Sequence, residues 1–336
     1  MMSGGNNLSS SHFILIGIPG LEDVLVWISL PVFIMYLITL LANISVLFVI
    51  KSEESLHQPM YLFLSMLLFT DLVQSNAAVP NMLLIFWFNL HEISFEGCLV
   101  QMFFIHSFSI MGSTILLAMA FDRYVAICQP LRYSAILTYP LITEIGVLVA
   151  MGGTLLVFPH PFLVRRLPFC KSHVIDHSYC EHIAVAKLSC ADIRVNVVYG
   201  LAVAVLVVGV DVAGITVSYA MIINAIFNLS SKEARHKVRS TCVSHVCVIL
   251  LAYIPALFSF VTQRFGERTA SSTQIILSNL YLIVPPMLNP IIYGMKTKEI
   301  QRNVLKVLVG DKMSMGDCPG HELEGGGVFS GWYRSR

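Results

Sequence analysis

The chain has 336 residues, of which 56% are hydrophobic and only 12% charged, with a formal net charge of +1. A soluble domain carries about 25% charged residues, so this composition cannot cover a water-exposed surface and reads as an integral membrane protein. The small net charge excludes an electrostatic nucleic-acid binder, and no Gly-rich phosphate loop, HExxH or GxSxG occurs to suggest an enzyme.

Residues 1–23 form an amino-terminal segment with one glycosylation acceptor, Asn7-Leu8-Ser9. The first apolar run, 25–50, has no basic stretch before it and is read as a membrane span, not a cleavable signal. Further runs fall near 60–86, 98–121, 141–162, 197–228, 240–262 and 273–295. Each is close to or beyond the roughly 17–25 residues needed to cross a bilayer. Helices are the open-chain structure that satisfies every backbone group in lipid. The expected fold is therefore all-α: a seven-transmembrane helix bundle, one unit over 24–309. Kinks are expected at Pro80, Pro159, Pro161, Pro255, Pro285, Pro286 and Pro290. Two further acceptor patterns, at Asn43 and Asn228, lie in or at the end of a span and should be silent.

After the seventh run, Ile300, Val304 and Leu308 line one helical face, with Lys298, Arg302 and Lys306 elsewhere on the turn. This predicts a short amphipathic helix on the membrane surface. Residues 310–336 are Gly-rich and aperiodic, and a disordered tail is expected there.

Lys and Arg set the orientation. Residues 1–50 contain neither; with the amino end outside, fourteen of the twenty-one basic residues fall inside, and five of the other seven lie in one long loop, 163–196. The expected topology is multi-pass in the plasma membrane, amino end extracellular and carboxyl end cytoplasmic. Cys98, Cys170, Cys180 and Cys190 then lie on the oxidising side and read as two bridges, while Cys128, Cys242, Cys247 and Cys318 read as free thiols.

Several polar groups sit in the apolar runs. Asn43, Asp71 and Asn289 lie deep in spans, where such groups normally face the bundle interior. Asp211 has no sequence neighbour of opposite charge; a protonated acid, a hydrogen bond across helices and a place in a pocket floor are all open. Asp122 and Arg123 stand side by side at the end of the third run.

Four separated segments, LHQPMYLFLSML (56–67), MAFDRYVAICQPLRY (119–133), STCVSHV (240–246) and PPMLNPIIYGMKTKEI (285–300), resemble the signature segments of olfactory receptors. GIPGLE (17–22) and QRFG (263–266) resemble the class I, fish-like branch. The resemblance implies a rhodopsin-like G-protein-coupled receptor for small odorants, acting through a stimulatory heterotrimeric G protein and cAMP, with no cofactor or metal. A receptor for a non-odour metabolite is the alternative. A channel or transporter is remote, because no internal repeat is found.

By the same resemblance, Asp122 and Arg123 pair at rest, beside Tyr124, and Arg123 is released when the sixth helix swings outward. Asn289, Pro290 and Tyr293 form a seventh-helix switch with Tyr219 as partner, and Tyr253 is the hinge sensor. Asn43, Asp71 and Asn289 cluster, a place where related receptors often hold sodium. Class I relatives usually have glutamate where this chain has Gly112, which removes one ligand oxygen. The tail past about residue 310 is also longer than the family usually shows. The resemblance implies Cys98–Cys180 and Cys170–Cys190 bridges, so HSYCEH (177–182) reads as a bridged loop and not as a metal site.

The ligand is expected in the outer half, among His106, Ser109, Ile110, Phe260 and Arg264. Met102 and Ser113 lie on the same helical side as His106, and Phe258 adds apolar wall. The positions of His106 and Arg264 line the cavity in class I relatives, and a guanidinium is a good fork for a carboxylate.

Overall fold

A computed structural model describes residues 12–21, 24–170, 172–228, 231–265, 272–294 and 300–304; at 234, 237, 240, 241 and 263–265 it describes the backbone alone. Among the described residues seven helices are long and apolar enough to span a membrane. In chain order the helices are α1 (Leu25–Ser52), α2 (Pro59–Phe88), α3 (Phe95–Cys128), α4 (Tyr133–Ile136), α5 (Tyr139–Val157), α6 (Pro159–Arg165), α7 (His182–Ala186), α8 (Arg194–Phe227), α9 (Lys232–Phe265) and α10 (Ser272–Gly294). The fourth span breaks at Phe158 into α5 and α6, because Pro159 opens a new helix at its first turn. A further helical turn lies at 300–304, beyond the seventh span.

The helices outrun the apolar stretches that announce them. Helix α3 has 34 residues, about 51 Å at 1.5 Å per residue, against a hydrocarbon core of about 30 Å. It therefore carries Cys98 above one face of the membrane and Asp122 and Arg123 to the other. Its start is written locally: Ser94 caps it by accepting from the Gly97 N–H at 3.1 Å. Helix α2 begins on Pro59 and ends at Asn89, in the left-handed conformation (φ 55°).

The molecule is apolar on its outer surface and keeps its membrane-depth polar groups inside, as a lipid solvent requires. Trp27, Leu41, Val198, Val205 and Val217 are exposed, whereas Asn43, Asp71, Asp211 and Asn289 are buried. Two apolar clusters divide the interior. One is built around Met82, Met102 and Ile105, the other around Phe63, Leu116 and Met119. The fourth span meets the third at Gly153, where a Cβ would lie 2.9 Å from the Ser107 carbonyl and 2.6 Å from Met111 Cγ.

A small sheet is the feature that hydropathy does not announce. Its strands are β1 (His12–Leu15), β2 (Glu92–Ser94) and β3 (Val174–Ile175), in the order β2-β1-β3. β1 runs antiparallel to β2 and parallel to β3, with Phe13 opposite Ile93 and Leu15 opposite Ile175. Phe13 and Leu15 point inward while His12 and Ile14 are exposed, the period of two of a half-buried strand. Phe13 packs edge-on against Phe169 at 5.2 Å.

The chain then turns at Gly17 (φ 88°), whose N–H donates to the His177 carbonyl at 3.2 Å. The Ser272 hydroxyl closes the layer by donating to the Pro19 carbonyl at 2.6 Å. Two disulfides lie at this end, Cys98–Cys180 and Cys170–Cys190, with Cα separations of 5.4 and 5.9 Å. The first ties α3 to the long loop. Cys128, Cys242 and Cys247 are free; Cys318 and Asn7 lie outside the described residues.

Candidate functional site

The site groups fall into three levels along the bundle. At the level nearest the sheet, His106 on α3 donates from Nδ1 to the Met102 carbonyl at 3.0 Å. Its ring lies 5.9 Å from that of His160 on α6, which in turn lies 4.4 Å from His182 on α7 and 5.3 Å from Tyr199 on α8. The Asn196 amide faces His182 Nε2 at 3.4 Å. Three imidazoles from three elements therefore meet in the upper interior.

His160 was legible, as a titratable residue inside an apolar run, but PHPF reads first as a proline kink. Ser109 donates to the Ile105 carbonyl at 2.7 Å. Ile110 and Phe260 are partly buried. Met102 is wholly buried in the apolar cluster. Phe258 departs from expectation. It is 45% exposed and shares an outward stripe with Ile254, Leu257 and Val261, the spacing of one helical face. It faces lipid, not a pocket. Arg264 is on the last turn of α9, and its side chain lies outside the described residues. Among the described residues no group of three His, Cys, Asp or Glu side chains could hold a metal ion.

At the middle level two polar networks cross the bundle. The Asn289 amide donates to Asp71 Oδ2 at 2.9 Å, and Asn43 donates to the Pro286 carbonyl at 2.9 Å and to its own helix at Thr39. Gly112 lies against α2, since a Cβ there would be 3.5 Å from Thr70 Oγ1, beside Asp71. The second network answers what Asp211 does. Ser113 of α3 donates to Asp211 Oδ2 of α8 at 2.5 Å, and the Tyr253 hydroxyl of α9 lies 2.6 Å from the same Ser113 oxygen. Asp211 is hydrogen-bonded across helices and joins the third, fifth and sixth spans. Ser113 is thereby part of this network, below the histidines.

The third level holds Asp122 and Arg123, and here the expected ion pair is corrected. Among the described residues the ion pairs are Arg165–Glu96 and Arg194–Asp192, and neither involves Arg123. Asp122 Oδ1 instead accepts from the Tyr133 hydroxyl of α4 at 2.7 Å, while the Arg123 guanidinium turns to the Met60 sulfur of α2. Adjacent helical residues point about 100° apart, so side-by-side charges on one helix do not face each other. Burial, together with the Asp122 carboxylate, pushes the Tyr133 phenol above its ordinary value, so it stays a donor.

Tyr124 accepts from the Gln129 amide at 3.2 Å. Tyr219 lies 2.8 Å from His245 Nδ1, and the His245 ring is 6.4 Å from that of Tyr293. Tyr219, Cys242, His245 and Tyr293 all lie within electrostatic reach of Arg123. His245 is the residue of this level that sequence reading passed over, although STCVSHV contains it.

Buried polar groups at three levels inside seven helices mark a working membrane protein, and the relatives of this chain say which kind. The profile of the olfactory receptor family matches residues 32–311. The chain is 50% identical to human olfactory receptor 52N2 over 316 residues, 93% of this chain and 98% of the relative. It is 54% identical to human olfactory receptor 52P1 over 301 residues (90% and 94%), and 49% identical to human olfactory receptor 51E1 over 303 residues (90% and 95%). The chain belongs to the olfactory receptor family, in its class I branch. It is a multi-pass membrane protein of the G-protein-coupled class and not an enzyme.

Proposed function

We propose that the protein binds a small volatile carboxylic acid in its outer half and activates a stimulatory G protein that raises cAMP. The amino end faces the outside, and the carboxyl end faces the cytoplasm. The observation that supports an acid ligand is the histidine group His106, His160 and His182. With Tyr199 and Asn196 beside them they place a few polar groups among apolar neighbours such as Met102 and Ile105, the composition of a site that orients a ligand by a few groups. Arg264, one turn beyond Phe260 on α9, supplies the charge. His106, Ser109, Ile110 and Phe260 complete the site.

Ligand drawn toward both α3 and α9 biases the network of Ser113, Asp211 and Tyr253, which joins those helices to α8. The lower part of α9 then moves outward, and Arg123, Tyr219, Asn289, Pro290 and Tyr293 rearrange to admit the G protein.

The test is a cAMP assay with acids and alcohols of matched chain length. A charge-assisted hydrogen bond contributes about 1.5–3 kcal/mol. Arg264→Ala should therefore lose about ten- to hundredfold in potency for the acids and much less for the alcohols. Equal losses for both would abandon the carboxylate preference.

A further inference from the structure

At the end of the bundle remote from the sheet, a cavity of about 560 Å³ opens between the last turn of α8 and the first turns of α9. Its lining has two halves. Ile223, Ile226 and Phe227 of α8 make an apolar wall, with Ile223 and Phe227 exposed at 51% and 74%. Lys232, Arg235, His236 and Arg239 of α9 make the other side, and among the described residues no acidic one lines it. The basic residues follow one another at intervals of three, one and three, which places all four on a single helical face. The apolar wall belongs to the lipid-facing surface, and the cationic stripe begins where that surface ends.

We propose that this groove binds an acidic phospholipid, with a multiply phosphorylated headgroup on the Lys232–Arg239 stripe and an acyl chain along Ile223, Ile226 and Phe227. Charge complementarity selects the headgroup. Forked guanidiniums at 235 and 239 match phosphate oxygens, and the His236 ring adds a further N–H. The adjoining apolar wall selects a lipid over a free phosphate, because a soluble anion would leave the wall unused. The bound lipid bridges the ends of α8 and α9, the helix whose movement the proposed signalling requires. It thereby makes the receptor's response depend on membrane composition. The inference rests on the cytoplasmic placing of this end only for its biology; the binding itself does not depend on it.

The test uses full-length receptor in phosphatidylcholine nanodiscs containing graded amounts of phosphatidylinositol bisphosphate, with retained lipid read by native mass spectrometry. Both leaflets are then available, so the result is independent of orientation, which antibody access to a tag on the tail of intact cells checks separately. Each cationic side chain near a membrane surface contributes about fivefold. Arg235→Gln with Arg239→Gln should therefore raise the half-saturating lipid content about 25-fold, at unchanged thermal midpoint. The corresponding double Lys variant, which keeps both charges but loses the forks, should restore retention only in part. Lys51→Gln with Arg132→Gln, which removes two charges elsewhere at the same end, should change it little. Soluble inositol trisphosphate should not displace the lipid.

Three results would overturn the site: no preference for the bisphosphate lipid in the wild type, an equal loss in the Lys51/Arg132 variant, or displacement by the soluble headgroup. Loss of G-protein coupling in the Arg235/Arg239 variant with lipid retention unchanged would assign the stripe to a protein partner and sink the proposal.

Discussion

Asp122 shows how much a single side chain's partner decides. It is buried, and the hydroxyl that satisfies it comes from Tyr133, eleven residues on, in a short helix outside the membrane. A hydrogen bond to a charged group contributes about 1.5–3 kcal/mol. Tyr133→Phe should therefore lower the thermal midpoint of the purified receptor and raise its ligand-free cAMP signal, because the loop no longer holds the third helix at rest. Arg123→Ala should instead reach the cell surface and signal little, because the proposed mechanism needs its guanidinium in the active state. If both variants behave alike, Tyr133 has no separate role.

The same logic applies to Asp211, which accepts from Ser113 of α3, the residue that also meets Tyr253 of α9. Cross-helix hydrogen bonds in membranes contribute about 0.6 kcal/mol on average and at most about 1.7. Asp211→Asn keeps an acceptor for Ser113 and should cost little stability. Asp211→Ala should cost more and should flatten the ligand response, because Ser113 loses its acceptor on α8 and the link from Tyr253 to that helix is cut. Thermal shift and dose–response curves on the pair would separate a packing role from a polar one.

Between elements, the contact of the fourth span with the third is set by a missing side chain. A Cβ at Gly153 would press on the Ser107 carbonyl, which is backbone and cannot turn aside, as well as on flexible Met111. Overpacking of this kind costs about 1–3 kcal/mol. Gly153→Ala should lower the thermal midpoint, while Gly152→Ala, which meets open space, should leave it unchanged. Backbone freedom alone would raise the midpoint of both variants, so a similar loss in both would mean that the α3–α5 approach is not what Gly153 serves. The four basic residues of α9 belong to the same scale. Their spacing was plain in the sequence, but the apolar wall opposite them comes from another helix.

For the whole molecule, the sheet end is held by contacts among parts far apart in the chain: the amino-terminal strand, the long loop and α10. Gly17 donates to the His177 carbonyl, and Asn279 of α10 donates to Ser178 at 3.0 Å. His177 itself is buried, and burial lowers its pKa to about 3 from 6.5. Above pH 6.5 the ring is neutral whether the loop is folded or not. Below it the unfolded loop takes up a proton that the folded loop refuses, so stability is lost progressively from pH 6.5 down to about 3. Limited proteolysis of the loop should quicken across that window in the wild type. A His177→Gln variant should show a flatter dependence, and an unchanged slope would place the acid sensitivity elsewhere.

Hydropathy is read along the chain, and whatever depends on it was legible there. This covers the seven spans, the polar residues that had to face inward and the kink at Pro159, while the motifs at 56–67, 119–133 and 285–300 carried the family. Partners across the bundle were legible only where the family resemblance supplied them, as for Asp71 with Asn289 and Cys98 with Cys180; the rest depend on how each helix is rotated about its axis and how far it slides past its neighbours. Ser113 and Asp211 are 98 residues apart, and Ser113 and Tyr253 are 140 apart. No spacing rule connects them. Adjacency misled at Asp122 and Arg123, where successive residues leave a helix in different directions. Composition misled at Phe258, which is apolar enough for a pocket wall and stands on the face that meets lipid. The amino-terminal strand escaped notice for a related reason. Four residues carry too short a pattern to announce a strand, and only the edges offered by β2 and β3 make it one.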